Sequence, residues 1–142
     1  MSSIKNVLVV GVSDNIPGSS WNQVTDYRKA KGNVGPVVVQ HLLSAKFTVS
    51  LLSRDNSINS TFPNVKVFQT DYSEASLAQA CKSQDAIVST MSALATMTQT
   101  KIIDAAIAND VKRFIPSDFG LNTPDMSAIE QHLPALYQSQ RR

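Results

Sequence analysis

The 142-residue chain predicts an α/β fold, a doubly wound parallel sheet of about five strands. Three observations carry this. Residues 4–10 (Ile-Lys-Asn-Val-Leu-Val-Val) form a near-continuous apolar, β-branched run, the pattern of a strand covered on both faces. Strand-like and helix-like segments then alternate as far as Pro116, the mark of parallel βαβ units with right-handed crossovers. Finally, Gly11, Gly32 and Gly35 punctuate the passage from the first strand to the first helix.

In chain order, the first strand ends at Gly11, and residues 12–29 lose all periodicity. They are rich in turn formers and hold the single Trp, Trp21, with no apolar face to bury it. From Gly35 to about Ala45 the spacing is helical, with Val34, Val38, Leu42 and Ala45 aligned as one face. Phe47–Leu52 reads as the second strand, followed by Arg54 and a polar loop over 55–61. Val65–Phe68 is the third strand. Ser73 caps a helix that runs through Ala80, with Glu74 in its first turn. Asp85–Thr90 is the fourth strand. Thr96–Asn109 is a helix with Met97, Ile102, Ala105 and Ala106 directed inward. Lys112–Pro116 is the fifth strand. Asp125–His132 suggests a short helix, and no sixth strand follows.

The glycines gain meaning when residues 12–29 are set aside. The join then reads Gly11-Ala30-Lys31-Gly32-Asn33-Val34-Gly35, a G-x-x-G-x-x-G run between strand and helix, the context of a Rossmann-like dinucleotide fingerprint. The first glycine permits the sharp turn, the second lets backbone approach a pyrophosphate, and the third lets the helix pack closely. The helix N-terminus then offers free N–H groups to phosphate. In such a fold the ligand sits outside the carboxyl ends of the strands.

Composition narrows the alternatives. Hydrophobic residues make up 42% and charged residues 17% of the chain, which suits a globular domain and not a disordered one. A formal net charge of +2 gives no footprint for nucleic acid or an anionic membrane. No apolar run reaches membrane-spanning length, and no signal-peptide h-region precedes the first strand. The one cysteine, Cys81, cannot form an internal disulfide, so a reducing cytoplasmic setting is expected. Cys81 reads as a small buried residue and Met91 as core filling. No His, Cys and carboxylate spacing suggests a metal site. Tyr27 and Lys31 have Y-x-x-x-K spacing but precede the first helix, so the match is read as coincidence.

Several segments, in order, resemble a known family. Val9-Val10-Gly11, Gly32-Asn33-Val34-Gly35, Leu51-Leu52-Ser53-Arg54, Gln84–Ser89 and Val111–Gly120 are similar to the NmrA-like, isoflavone reductase-like branch of the atypical short-chain dehydrogenases/reductases. The similarity covers residues 4–11 and about 30–134. Its most specific part is Pro116-Ser117-Asp118-Phe119-Gly120, close to that family's P-S-E-F-G. The resemblance implies an NAD(P)-binding Rossmann domain over residues 1–120, with 12–29 as an inserted loop. Residues 121–142 would be the start of a truncated substrate region or an irregular tail. It further implies that Gly11, Gly32 and Gly35, with Asn33 and Val34 between them, hold the pyrophosphate. Arg54 would take the 2′-phosphate, favouring NADPH (NADP) over NAD. Ser89, Thr90 and Met91 would line the cleft, and Ser117 and Phe119 would lie by the nicotinamide. The implied activity is NADPH-dependent reduction of a small substrate, an aromatic one included. The alternative is a non-enzymatic cofactor-sensing regulator of the NmrA type that binds a protein partner. The family's reductases use a Lys downstream of P-S-E-F-G, and no Lys follows Lys112 here, so no catalytic residue is assigned and impaired function is expected.

Residues 12–29 have the character of retained intron. Val12-Ser13 can be encoded GTA-AGT, Lys29 can end in AG, and eighteen codons preserve the frame; the tail from Tyr137 admits the same reading. Lengthening the turn from about 4 to about 22 residues costs only ~1.5 kcal/mol of closure entropy. The sheet should therefore survive while the tight phosphate turn does not. Sequencing the gene and its transcripts should reveal a spliced form lacking these codons; transcripts with no splice at these junctions would refute the intron origin.

Overall fold

The computed structural model describes residues 3–11, 34–54, 62, 64–91 and 96–117. The expected inserted loop 12–29, Gly32, Asn33, Phe119, the suggested helix 125–132 and the tail from 121 lie outside the described residues. The elements are β1 (Asn6–Val10), α1 (Val34–Ser44), β2 (Thr48–Ser53), β3 (Lys66–Gln69), α2 (Glu74–Cys81), β4 (Ala86–Ser89), α3 (Thr96–Ala108) and β5 (Arg113–Ile115). The strands form one five-stranded sheet in the order β3-β2-β1-β4-β5, and every pairing is parallel. This is the Rossmann-like, doubly wound α/β arrangement.

β1 is the middle strand because it is the most evenly apolar. Val7, Leu8, Val9 and Val10 are all buried, with Val7 opposite both Val49 and Ala86. Alternation along the strands divides the core. Val7, Val9, Val49, Leu51, Ala86 and Val88 face one side, where Val39 of α1 covers them together with Phe62 and Val65. Leu8, Val10, Leu52 and Ile87 face the other, under Leu77, Ala80 and Cys81 of α2 and Ile102 and Ala106 of α3. Burying a side chain such as Ile87 contributes about 2–3 kcal/mol of transfer free energy. Burial also pushes the Cys81 thiol up to about 11, which leaves it an inert core residue.

Two side-chain expectations are corrected. Met97 is 71% exposed, not inward. It precedes the buried Ile102 by five positions, about 140° around the helix, so it stands nearly opposite the packed stripe. For α1, the buried residues are Gly35, Pro36 and Val39, with Val38 and Leu42 partly buried, whereas Val34 and Ala45 are exposed. Val34 is again five positions from the residue that anchors its helix. The loop expected over 55–61 ends in a core contribution from Phe62, which no periodicity announces.

The helix ends close without glycine. In α1, the Lys46 N–H donates to the Leu43 carbonyl and the Phe47 N–H to the Leu42 carbonyl, at 3.0 and 3.1 Å. In α3, the Asp110 N–H donates to the Ile107 carbonyl and the Val111 N–H to the Ala106 carbonyl. These are Schellman motifs, and they hold Lys46 at φ 67° and Asp110 at φ 56°. At the start of α2, Ser73 caps as expected, its Oγ accepting from the Ser76 N–H at 3.3 Å. The Ser73 hydroxyl and amide and the Ser76 hydroxyl hold the Asp71 carboxyl down to about 2.

At the amino ends of the strands, Asp85 joins three elements. Its Oδ2 accepts from the Lys5 and Asn6 N–H groups, each at 2.9 Å, and its Oδ1 accepts from Lys112 Nζ at 2.7 Å. The Asn6 amide first, then the Lys112 ammonium and the Lys5 amide, hold this carboxyl well below the usual carboxylate range. A group that binds its proton less tightly when folded contributes stability that is full above the unfolded carboxylate value and is lost as pH falls through the folded one. The Asp85→Asn variant should therefore show a lower urea midpoint than the parent at pH 7, with the gap closing as the pH drops below about 4. Equal midpoints at pH 7 would show that the carboxylate does not hold the strands. At Gly11 (φ 85°) an added Cβ would lie 2.8 Å from Met91 N and 2.9 Å from Met91 Cα. Gly11→Ala should cost about 2–4 kcal/mol in urea unfolding, from the left-handed backbone and the backbone clash together.

Candidate functional site

The site develops from the carboxyl edge of the sheet. β1 lies between β2, made next, and β4, so the order of strands reverses at the β1–β4 seam, where a doubly wound sheet opens a crevice. Gly11 turns the chain away from β1 there. Across the seam, the Thr90 N–H and the Thr90 Oγ1 each donate to the Val10 carbonyl at 2.8 Å. The Ser89 side chain is fully buried, and its hydroxyl has no hydrogen-bond partner among the described residues. Met91 is half-buried against the α2–α3 side of the core. Beyond β5, Ser117 Oγ donates to the Met91 carbonyl at 2.5 Å, and the Ser117 N–H donates to Gln99 Oε1 at 3.0 Å.

A second group stands at the ends of β2 and β3. Arg54 follows β2 and is exposed. The Gln69 amide reaches the Arg54 carbonyl at 3.4 Å, and the Thr70 N–H donates to the Ser53 carbonyl at 2.9 Å, so the two strand ends continue in parallel past the ladder. Tyr72, at φ 60°, is held by the Thr70 hydroxyl, which accepts its N–H at 2.9 Å. Burial raises the Tyr72 phenol, and the Arg54 charge pulls it the other way, which puts guanidinium and phenol in one electrostatic neighbourhood. Among the described residues Arg54 forms no ion pair, the Lys112–Asp85 pair being the salt bridge found.

Of the residues singled out from sequence, the structure brings Gly11, Thr90, Met91 and Ser117 into direct or near contact and seats Ser89 beside them. Val34 and Gly35 open α1, with Gly35 buried and Val34 at 40% exposure. Arg54 stands apart, over β2. Gly32, Asn33 and Phe119 lie outside the described residues. Sequence reasoning missed Gln99 and Tyr72. Gln99 had a signal: it precedes Ile102 by three positions, a polar residue on the inward stripe of α3. Tyr72 had none, since its position depends on a left-handed backbone at a non-glycine residue.

The chemistry of this edge fits a dinucleotide. Among the described residues it offers a glycine with left-handed backbone at the end of β1, a cation without a carboxylate partner at the end of β2, and a buried hydroxyl with unused hydrogen-bonding capacity at the end of β4. Among the described residues there is no group of three His, Cys, Asp or Glu side chains that could hold a metal ion. No described helix is long and apolar enough to cross a membrane.

Comparison with known proteins agrees. The NAD(P)H-binding family model matches residues 30–141, beginning at the first residue after the segment 12–29. The oxidoreductase aprR of Aspergillus flavus is 39% identical over 120 residues, covering 79% of this chain and 38% of its own length. An isoflavone reductase-like protein of Olea europaea is 34% identical over 112 residues, covering 70% of this chain and 36% of that protein. The chain thus spans less than two fifths of the length of these relatives. Among solved structures, the leucoanthocyanidin reductase–NADPH complex of Vitis vinifera superposes with a TM-score of 0.64 at 20% identity, over 96% of this chain and 41% of that one; at that identity the likeness concerns the fold. The chain belongs to the NAD(P)H-binding family, as a Rossmann-fold, oxidoreductase-like domain related to the isoflavone reductases.

Proposed function

We propose that this chain is the cofactor-binding portion of an NADPH-dependent reductase of small, aromatic substrates, with its affinity for cofactor reduced by residues 12–29. The observation that carries the cofactor choice is Arg54: an exposed guanidinium, free of any carboxylate among the described residues, at the end of the strand that in this fold meets the adenosine ribose. A 2′-phosphate would complete it, whereas a free 2′-hydroxyl calls for an acidic acceptor. NADPH, when bound, would supply the hydride. The chain's own part is to bind and orient the cofactor, through Gly11, Gly32, Asn33, Val34 and Gly35 at the pyrophosphate. Ser89, Thr90, Met91, Ser117 and Phe119 would serve the nicotinamide end.

The reductase reading is favoured over the cofactor-sensing regulator because these relatives carry the names of oxidoreductases and reductases. The isoflavone reductase-like name also supports an aromatic substrate. The spacing in the sequence supports the impairment: a fingerprint turn works by aiming consecutive N–H groups at phosphate, and eighteen extra residues separate Gly11 from Ala30.

Calorimetric titration with NADPH and NADH, on the whole chain and on a variant lacking residues 12–29, tests both parts. The shortened variant should bind NADPH at least about tenfold more tightly than the whole chain does. In it, Arg54→Gln should weaken NADPH by about tenfold, the loss of one charge-assisted contact, and leave NADH nearly unchanged. Equal binding by both forms would refute the impairment, and equal loss of NADPH and NADH in the Arg54 variant would refute the 2′-phosphate role.

A further inference from the structure

We propose that Gln99 is the positioning residue for the nicotinamide end of the site; this rests on the dinucleotide reading above. Among the described residues β5 is a three-residue edge strand, and no described strand lies on its outer side to receive the N–H groups of the chain just past it. The Ser117 N–H is one of these, and it is received by Gln99 Oε1 at 3.0 Å, from a side chain eighteen residues earlier on a different element. Because the partner is an N–H, the carboxamide must present its oxygen, which fixes its orientation. With its amide held, Ser117 turns its hydroxyl onto the Met91 carbonyl at 2.5 Å. The Met91 backbone is in turn the surface against which Gly11 turns, with no room for a Cβ between them.

The contacts therefore run from Gln99 to Ser117 to Met91 to Gly11 and tie the carboxyl ends of β5, β4 and β1 into one wall. Gln99 sits in the second turn of α3, on the same side of the helix as the buried Ile102, so its carboxamide is carried by a packed element and not by a loop. Without the Gln99 oxygen, the Ser117 N–H loses its acceptor at a half-buried position, and the Ser117 segment is free to lift from Met91. Arg54 takes no part in this chain of contacts, which starts at the nicotinamide end and meets the pyrophosphate turn at its last member, Gly11. Gln99 thus acts on the nicotinamide half of the cofactor and leaves the adenylate half alone.

The test uses Gln99→Met, which keeps the length of the side chain but has no acceptor oxygen, and Gln99→Glu, which keeps the acceptor. Both are made in the whole chain and in the variant lacking residues 12–29. NADPH binding is read by titration and by the fluorescence of the reduced nicotinamide; 2′,5′-ADP binding reports the adenylate half; hydrogen exchange reports the Ser117 amide without any cofactor. Gln99→Met should speed exchange at Ser117, weaken NADPH by about tenfold, blunt the fluorescence change and leave 2′,5′-ADP within about twofold. Gln99→Glu should restore NADPH binding to within about threefold of the parent. Unchanged NADPH binding in Gln99→Met, or an equal loss of NADPH and 2′,5′-ADP, would overturn the positioning role while leaving the cofactor reading intact. If neither parent form binds NADPH or 2′,5′-ADP, the cofactor reading falls and this inference falls with it.

Discussion

The Asp85 carboxylate decides how the halves of the sheet meet. A parallel sheet has no hairpins to set its register, so something else must fix β4 against β1 and β5 against β4. Asp85 does both, taking the Lys5 and Asn6 amides with one oxygen and the Lys112 ammonium with the other. Its own backbone continues the same alignment, with its N–H on the Asn6 carbonyl and its carbonyl receiving the Lys112 N–H. At the other end of these strands, the Thr90 pair on the Val10 carbonyl and the Ser117 hydroxyl on the Met91 carbonyl repeat the fastening at the carboxyl edge. The register of the site is therefore fixed from both ends of the same strands.

Much of this was legible in the sequence, because the strands are short apolar runs and the helices follow each in turn. β1 through β5 fall within a residue or two of their expected bounds, and Ser73 caps α2. The errors share one cause. The inward faces were set from apolar spacing that began at Val34 and Met97, yet the anchoring residues of α1 and α3 are Val39 and Ile102, and Val34 and Met97 lie five positions from them, on the wrong side of a 3.6-residue turn. The left-handed helix exits at Lys46 and Asp110 were invisible, since the usual glycine signal is missing at both. Phe62 could not be assigned to the core because its burial depends on the space left over β2 and β3 on the α1 side, a tertiary fact.

The candidate site divides in the same way. Residues named by motif, such as Gly11, Arg54 and Ser117, stand at the edge where a doubly wound sheet binds ligands. The groups that hold them are not adjacent in sequence: Gln99 reaches the Ser117 N–H, and the Gln69 amide reaches the Arg54 carbonyl. Motifs record what faces the ligand, while the supports come from helices and strands whose mutual placement only the folded chain defines. Arg54 and Ser89 belong to the first kind. Each has hydrogen-bonding capacity that the described protein leaves unused, which is what a binding surface requires and a packed core does not tolerate.

The central position of β1 has a kinetic cost. Val7 pairs with Ala86, so the most apolar strand of the protein is completed by a neighbour made almost eighty residues later. At roughly 5–20 residues per second of synthesis, β1 waits about 4–16 seconds for that partner. Until then the Val-Leu-Val-Val run has one exposed hydrogen-bonding edge and no charged side chain to deter another chain from adding to it. The segment that makes the finished sheet cohere is thus, in the newborn chain, the one most in need of a chaperone.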